Sequence, residues 1–344
     1  MTSPPGRPSP GTSDAPAGSG ARSRPTVAQV LEMLRGTSPG AGAVVMATGI
    51  ISVGLGRLGH ASLSGAALAV TALVWVVLAA AFALRLGWDR AGWQAVAASP
   101  PGLTAVAASC VLGTRLSLFG WQTVAEILLA LSAAVCPWLL VSVLRHWKRR
   151  MPGVVFLVCV AAESLAVLAI TLSLAEHSEW LASAALAACA LGIVLYLAAL
   201  PRFGFRQVTV GAGDQWISGG AIAIAALTTA KLSTSPVWTG GAHSALRTGA
   251  YVLLSLDLAW CAVLALAEIA YPRPHYDLRR WSTVFPLGMT AEATLFTSDA
   301  TGTRWLHGLG AVLLWISVAA WLLAAAGAAR ASAARHPELL PSRR

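Results

Sequence analysis

Charged residues are scarce in this sequence, and acidic residues are the scarcest of them. Asp, Glu, Lys and Arg make up 11% of the 344 residues, while hydrophobic residues make up 56%. Because about a quarter of the residues in a soluble globular domain are charged, this composition excludes a soluble globular protein. The 24 Lys and Arg exceed the 14 Asp and Glu, which gives a formal net charge of +10.

The sequence also lacks the cysteine and histidine patterns of metal or redox chemistry. Each of its five cysteines stands alone in an apolar segment, at Cys110, Cys136, Cys159, Cys189 and Cys261. A disulfide framework or a metal site needs paired or clustered ligands. Residues 54–59 match the G-x-G-x-x-G pattern of dinucleotide sites, but they end an apolar segment instead of following a strand. We therefore predict no cofactor, no metal and no enzymatic activity.

What the sequence does contain is a series of ten long apolar segments. A helix needs about 20 largely apolar residues to cross a bilayer. The segments span residues 40–58, 62–84, 102–118, 122–144, 153–175, 179–200, 215–233, 244–270, 282–299 and 305–328. The sequence thus predicts an all-α membrane protein with ten transmembrane helices, whose outer surface contacts the lipid bilayer.

The basic residues fall mainly on one side of these ten predicted crossings. The termini and the loops after even-numbered segments hold 19 of the 24 Lys and Arg. The other side holds Arg57, Arg115, Lys231, Arg247 and Arg304. Cytoplasmic loops collect Lys and Arg, so we expect a multi-pass protein of the plasma membrane with both termini in the cytoplasm. This bias explains the net charge without a nucleic-acid partner.

The ends of the chain differ in composition from its middle. Residues 1–38 begin with a stretch rich in Pro, Ser and Gly, which predicts a disordered cytoplasmic tail. Within it, residues 26–35 have the pattern of a short amphipathic helix on the membrane surface. We assign residues 39–329 to the ten-helix domain and residues 330–344 to a cytoplasmic C-terminal tail.

Helix-breaking residues recur at or near the start of every second apolar segment. They are Ser38-Pro39-Gly40, Ser99-Pro100-Pro101-Gly102, Met151-Pro152-Gly153, Ser218-Gly219-Gly220 and Phe285-Pro286-Leu287-Gly288. Such self-similarity indicates a repeated supersecondary unit. We predict that this unit is a hairpin of two helices, used five times.

The odd-numbered segments also carry most of the small and hydroxyl residues. Polar side chains are tolerated within a membrane where protein or a water-filled cavity receives them. We therefore predict an inner ring of odd-numbered helices around a central pore and an outer ring of even-numbered helices. The alternative is that these residues only allow close helix packing. Candidate pore-lining residues are Thr48, Gly49, Ser52, Ser109, Thr114, Ser164, Ser218 and Thr228.

Three short stretches resemble a known family. They are Ala43-Val44-Val45-Met46-Ala47-Thr48-Gly49-Ile50, Val111-Leu112-Gly113-Thr114-Arg115-Leu116 and Val284-Phe285-Pro286-Leu287-Gly288-Met289. The chain is similar to the tellurite-resistance/C4-dicarboxylate transporter family, and so to the slow anion channels, fungal malic acid permeases and sulfite exporters. This resemblance implies five hairpins, a single pore lined by the inner helices, passage of small anions and assembly as a homotrimer.

The resemblance also implies a pore gate. In the family a phenylalanine on the kinked ninth helix plugs the pore, and Phe285, directly before Pro286, matches it. A proline bends a helix, and an aromatic ring at a narrow point can gate by excluding water. The alternative is an aromatic ring packed between helices. Gly288 and Met289 follow on the same stretch and are further candidates for the pore wall.

Two glutamates within the apolar segments are candidate functional residues. Glu292 lies two helical turns after Phe285, so the two side chains share a face. Glu163 lies at a comparable depth in the fifth segment. Both glutamates are candidate pore-lining residues and, in a proton-coupled carrier, the candidate proton sites. Carboxylates within a membrane are costly and are functional candidates by default. We hypothesise that Glu292 couples anion movement to protons, and the alternative is a hydrogen bond to a neighbouring helix. For Asp257, in the eighth segment, we favour an inter-helix hydrogen bond.

Three basic residues lie at the predicted outer ends of inner helices. Arg57, Arg115 and Lys231 either form a positive pore mouth that concentrates anions or extend to the interface as membrane cations do. The leading prediction is thus an anion channel or transporter that passes small inorganic or carboxylate anions past Phe285. The alternative is a proton-coupled C4-dicarboxylate carrier or an exporter of tellurite or sulfite.

Overall fold

The computed structural model describes residues 39–273 and 275–335. The predicted tail of residues 1–38, with its surface helix at 26–35, and residues 336–344 of the C-terminal tail lie outside the described residues. Within the described residues the chain forms helices and no β-strand. The prediction of an all-α protein is therefore confirmed.

Ten long helices account for most of the described residues. They are α1 (Gly42–Arg57), α2 (Ala61–Trp88), α3 (Thr104–Leu118), α4 (Gln122–Leu144), α5 (Leu157–Glu176), α6 (Glu179–Ala199), α7 (Ile217–Ser233), α8 (Gly240–Ala270), α9 (Trp281–Thr301) and α10 (Arg304–Arg335). Their ends fall within about one helical turn of the predicted segments, except that α10 continues further, to Arg335. Two short helices, Arg90–Ala97 and Gln207–Val210, were not predicted.

Seven of the described helical stretches are long and apolar enough to cross a membrane by themselves. They are Ala61–Trp88, Pro100–Leu118, Gln122–Leu144, Gly153–Glu176, Glu179–Arg202, Gly240–Ala270 and Arg304–Ala334. Helices α1 and α7 are shorter, with 16 and 17 residues. Helix α9 is less apolar because it contains Pro286, Glu292, Asp299 and several threonines. Length and composition therefore separate these three helices from the other seven.

A short 3-10 turn precedes each odd-numbered helix. The turns are Pro39–Ala41, Pro100–Leu103, Gly153–Phe156, Asp214–Trp216 and Leu278–Arg280. The first three contain the predicted Pro and Gly breakers. The other two differ from the prediction, because Ser218-Gly219-Gly220 lies within the first turn of α7 and Pro286 lies inside α9. Proline is tolerated there, since neighbouring helices can compensate for the lost backbone hydrogen bond.

The odd-numbered helices pack on one another in a closed order. Helix α1 contacts α3, α3 contacts α5, α5 contacts α7, α7 contacts α9, and α9 returns to α1. Each even-numbered helix packs on the helix before it and also reaches the next odd-numbered helix, with α10 reaching α1. In their most apolar stretches 89% of the α5 residues are buried, against 11% of the α2 residues. The even-numbered helices therefore present exposed apolar side chains such as Leu73, Ile269 and Leu323.

We expect Gly153→Ala to destabilise this packing. A Cβ at Gly153 would run into the backbone carbonyl of Asp214, in the turn that precedes α7. Overpacking of this kind costs about 1–3 kcal/mol, so the melting temperature of the purified protein in detergent should fall by several degrees. Gly65→Ala is the control, because no heavy atom lies within 4 Å of a Cβ there. Equal melting temperatures for the two variants would contradict the expected contact.

Candidate functional site

A cavity lies between the five odd-numbered helices. It contains about 420 Å³ of space not filled by atoms, its open side included. The residues that line it recur mostly every three or four positions along each helix, as residues on one helix face do. The lining residues are Ile50 and Val53 of α1, Cys110, Val111 and Thr114 of α3, Ser164 and Val167 of α5, Ile224, Leu227 and Lys231 of α7, and Phe285, Met289 and Glu292 of α9.

Phe285 and Met289 form the part of this wall that is nearest the start of α9. The Phe285 side chain is 3% exposed and belongs to the apolar core. Next to it, the Pro286 ring lies against α7 at Gly220, where a Cβ would be 3.0 Å from the proline Cγ. Gly220 therefore lets α7 approach α9 at the proline. The close packing fixes the segment of α9 that carries Phe285.

The opposite part of the cavity wall is charged. Nε and Nη2 of Arg57, at the end of α1, donate to Glu292 Oε1 at 2.9 and 2.7 Å. The remaining Nη1 donates to Asp299 Oδ2 at 3.0 Å. Glu292 is 1% exposed, and its second oxygen, Oε2, has no hydrogen-bond partner among the described residues. An ion pair thus joins α1 to α9 beside the cavity, with one carboxylate oxygen left over.

Lys231 is the other charged residue of the cavity wall. Its side chain is 3% exposed, and its Nζ donates to Thr171 Oγ1 at 2.9 Å. The ammonium lies 5.2 Å from the centre of the Phe296 ring, and the guanidinium carbon of Arg57 lies 4.9 Å from the same ring. The two cations therefore share one aromatic neighbour. Such contacts are favourable because the face of the ring carries negative charge.

Arg115 lies near this charged region but does not line the cavity. Its Nε and Nη2 donate to the hydroxyls of Ser52 and Ser64, at 3.0 and 2.7 Å. The guanidinium also lies over the ring of Phe119. Ser52, a predicted pore residue, is thereby engaged between α1, α2 and α3. Of the three predicted mouth cations, only Lys231 belongs to the cavity wall.

Three of the predicted pore hydroxyls face even-numbered helices. Thr48 accepts a hydrogen bond from the indole of Trp321, Ser109 from Trp75, and Ser218 from Trp260, at distances of 2.8–2.9 Å. Each bond joins an odd-numbered helix to a tryptophan of a neighbouring even-numbered helix. These hydroxyls therefore satisfy buried indole N–H groups and do not line the cavity.

The remaining predicted pore residues divide between packing and the cavity. Thr114, Ser164 and Met289 line the cavity. Thr228 is buried and donates to the Ile224 carbonyl of its own helix. Gly49 and Gly288 allow close approach, because a Cβ at either would lie 2.6 Å from Val111 or Ile50 respectively.

Two other buried carboxyl groups of the long helices, those of Glu163 and Asp257, do not line the cavity. Glu163 packs against α6 at Gly192, and neither of its oxygens has a hydrogen-bond partner among the described residues. Asp257 accepts a hydrogen bond from Thr290 Oγ1 at 3.2 Å, which matches its predicted role between helices. Glu292 is therefore the only carboxyl group that the described residues contribute to the cavity wall.

Sequence reasoning missed the apolar part of the wall. These residues are Ile50, Val53, Cys110, Val111, Val167, Ile224 and Leu227. Their spacing contained a signal, since Leu227 and Ile224 lie four and seven positions before Lys231, and Val167 lies three after Ser164. Residues three, four or seven positions apart lie on the same face of a helix, so counting from the polar candidates would have identified them. Thr171, which accepts a hydrogen bond from Lys231, is one of the hydroxyl residues of the odd-numbered segments, whereas Phe296 gave no signal of its own.

The comparison with protein families agrees with this geometry. A family model described as voltage-dependent anion channel, SLAC1, matches residues 37–329. The match begins just before α1 and ends within α10, so it includes every helix that lines the cavity. It confirms the resemblance found in the sequence. No curated protein matches the chain.

We expect Arg57→Gln to destabilise the protein, because the variant leaves the buried Glu292 carboxylate without its cation. Breaking one side of a buried ion pair costs about 3–5 kcal/mol. The melting temperature in detergent should therefore drop clearly, and adding Glu292→Gln to Arg57→Gln should restore most of it. Asp299→Asn is the control, since Asp299 is half exposed. A double variant no more stable than Arg57→Gln would show that the pair contributes little.

Proposed function

The chain belongs to the SLAC1 family of voltage-dependent anion channels, and we propose that small anions cross the membrane through the cavity between its odd-numbered helices. The family consists of membrane channels and transporters and not of enzymes. One observation carries the proposal for this route: within the described part of the chain, all five odd-numbered helices contribute to the cavity wall, and no even-numbered helix does.

We propose that all ten long helices cross the membrane, as five hairpins. The odd-numbered helices then form an inner ring around a central pore, and the even-numbered helices form an outer ring that contacts lipid. The closed packing order and the exposed apolar surface of the even-numbered helices support this arrangement. Helices α1, α7 and α9 can be short or polar because neighbouring protein replaces lipid around them.

The orientation and assembly of the protein follow from the sequence and the family resemblance. The excess of Lys and Arg in the loops after even-numbered helices supports cytoplasmic termini and a plasma-membrane location. In this orientation the pore opens to the cytoplasm near Phe285 and to the outside near Arg57. Assembly as a homotrimer is proposed from the resemblance alone.

We propose Phe285 as the gate of this pore. Its ring lines the cavity beside Ile50, Val111 and Met289, so this part of the wall is apolar. A narrow apolar constriction blocks ions because water leaves it. Pro286 supports this role by removing one backbone hydrogen bond, which allows α9 to bend at the ring.

The permeant class is small inorganic or carboxylate anions. The wall offers hydroxyls and one lysine, and the guanidinium of Arg57 is already engaged by Glu292. Among the described residues no guanidinium lines the cavity, so the wall lacks the bidentate partner that a carboxylate would need. Selection between anions of similar size should accordingly be weak.

The alternative is a proton-coupled carrier of C4-dicarboxylates, or an exporter of tellurite or sulfite. The unpartnered Oε2 of Glu292 beside the cavity is the observation that favours it. Two hydrogen bonds from Arg57 to Oε1 argue against it, because charge-assisted hydrogen bonds of this kind tie the carboxylate to α1. Glu163, the second predicted proton site, does not line the cavity, so a relay through both glutamates is disfavoured.

We expect Phe285→Ala to increase anion flux at least tenfold, because the variant removes the ring that closes the cavity. The measurement is chloride or nitrate flux into liposomes that contain the purified protein under an imposed potential. Phe205→Ala is the control, since Phe205 is exposed and outside the cavity. Equal flux in the two variants would contradict the role of Phe285 as the gate, without contradicting the proposed anion route.

We expect anion flux to follow the membrane potential and to show no requirement for a pH gradient, because Glu292 is engaged in a salt bridge with Arg57 and is not free to carry protons along the cavity. The test compares wild type with Glu292→Gln in liposomes, with and without an acidic exterior and with malate or nitrate. Malate uptake that needs the pH gradient in wild type and loses that dependence in Glu292→Gln would establish the carrier instead.

A further inference from the structure

We propose that Lys231 is a binding site for one small monovalent anion, and that Glu292 prevents Arg57 from acting as a second cation of the same site. The proposal rests on the proposed function, because the site lies on the proposed anion route. It adds a preference for monoanions over dicarboxylates and names the residue that enforces it.

Lys231 is a buried cation that makes no salt bridge with the described residues. Among the described residues no Asp or Glu oxygen lies within 4 Å of its Nζ, although the side chain is 3% exposed. A buried ammonium is costly unless an opposite charge compensates it. The ammonium has three N–H donors, and the hydroxyl of Thr171 accepts one of them. Because Lys231 lines the cavity, an anion there can accept the other donors and balance the charge.

Arg57 is close to Lys231, but each of its three guanidinium nitrogens already donates to a carboxylate. Both cations lie about 5 Å from the centre of the Phe296 ring, which limits their separation to the sum of those two distances. Nε and Nη2 of Arg57 bind Glu292, and Nη1 binds Asp299. Glu292 thus occupies the position that a second carboxylate or a larger anion would need.

The charges that line the cavity favour a monoanion. Lys231 is positive and Glu292 is negative, and Arg57 is the cation that neutralises Glu292. A single anionic charge can therefore be compensated by Lys231. A dicarboxylate would bring a second negative charge beside Glu292 with no cation free to receive it, and like charges at short range repel.

This arrangement predicts a change of selectivity when Glu292 loses its charge. In Glu292→Gln the guanidinium of Arg57 keeps only Asp299, which is half exposed. Arg57 can then join Lys231, and two cations near one aromatic ring can receive a dianion. The same release should allow Arg57 to replace Lys231 when Lys231 is removed.

The test is a thermal-stability titration of the full chain in detergent, since a ligand that binds the folded state raises the melting temperature. The probes are sodium nitrate and disodium succinate at constant ionic strength. Lys231→Gln should weaken apparent nitrate binding about tenfold, a change of one decade in the dissociation constant. Lys231→Arg should retain nitrate binding. Lys148→Gln is the control, since Lys148 is exposed and is the only other lysine in the sequence.

The Glu292 variants test the second part of the proposal, which is that Glu292 prevents Arg57 from acting as a second cation of the site. Glu292→Gln should strengthen apparent succinate binding about tenfold, and adding Glu292→Gln to Lys231→Gln should recover nitrate binding. A folded Lys231→Gln protein with the wild-type nitrate titration would overturn the site. If Lys231→Gln does not fold, unchanged succinate binding in Glu292→Gln overturns the proposal by itself.

Flux in liposomes separates this proposal from the proposed function. If nitrate binding depends on Lys231 but nitrate flux is absent in wild type and in Phe285→Ala, the site is supported and the proposed pore is contradicted. Nitrate flux whose half-saturation is the same in wild type and Lys231→Gln supports the pore and overturns the site.

Discussion

The close approach of five helix backbones is the constraint on which the structure depends. Glycine makes several of these approaches: Gly49 lets α1 meet α3, Gly113 lets α3 meet α5, and Gly220 and Gly288 let α9 meet α7 and α1. Within a membrane the hydrophobic effect does not drive helices together, so small residues at the contacts and satisfied polar groups must do so. This packing surrounds α1 and α7, which are short, and α9, which is less apolar, with protein.

The polar residues of the odd-numbered helices then serve two different purposes. Thr48, Ser109 and Ser218 accept hydrogen bonds from tryptophans of neighbouring helices, which removes the cost of burying an indole N–H. Thr114 and Ser164 instead reach the cavity. Of the seven hydroxyl residues that the sequence offers as pore residues, two line the cavity. Most of them therefore belong to the framework around it.

The charged residues also fall into two groups, those that bind another side chain of the framework and the one that lines the cavity without a salt bridge. Glu292 and Arg57 neutralise each other across α1 and α9, and Asp257 is held by Thr290. Lys231 is buried and makes no salt bridge with the described residues. A buried cation weighs heavily in the local potential, because charges interact more strongly away from bulk water. The sign of that one charge agrees with the anion channel family to which the chain belongs.

The sequence by itself determined the class of protein, the positions of the ten long helices and the alignment of Phe285 with Glu292. These features are local: they depend on segment length, hydropathy and the helical period, which neighbouring residues set. The tertiary structure decided which hydroxyls reach the cavity, which carboxylate binds Arg57, and that Thr171 and Phe296 hold Lys231. Ten helices of similar composition can be rotated about their axes in many ways, and only packing between distant segments fixes each rotation. Arg57 and Glu292 are separated by 235 positions, so no local pattern could have paired them.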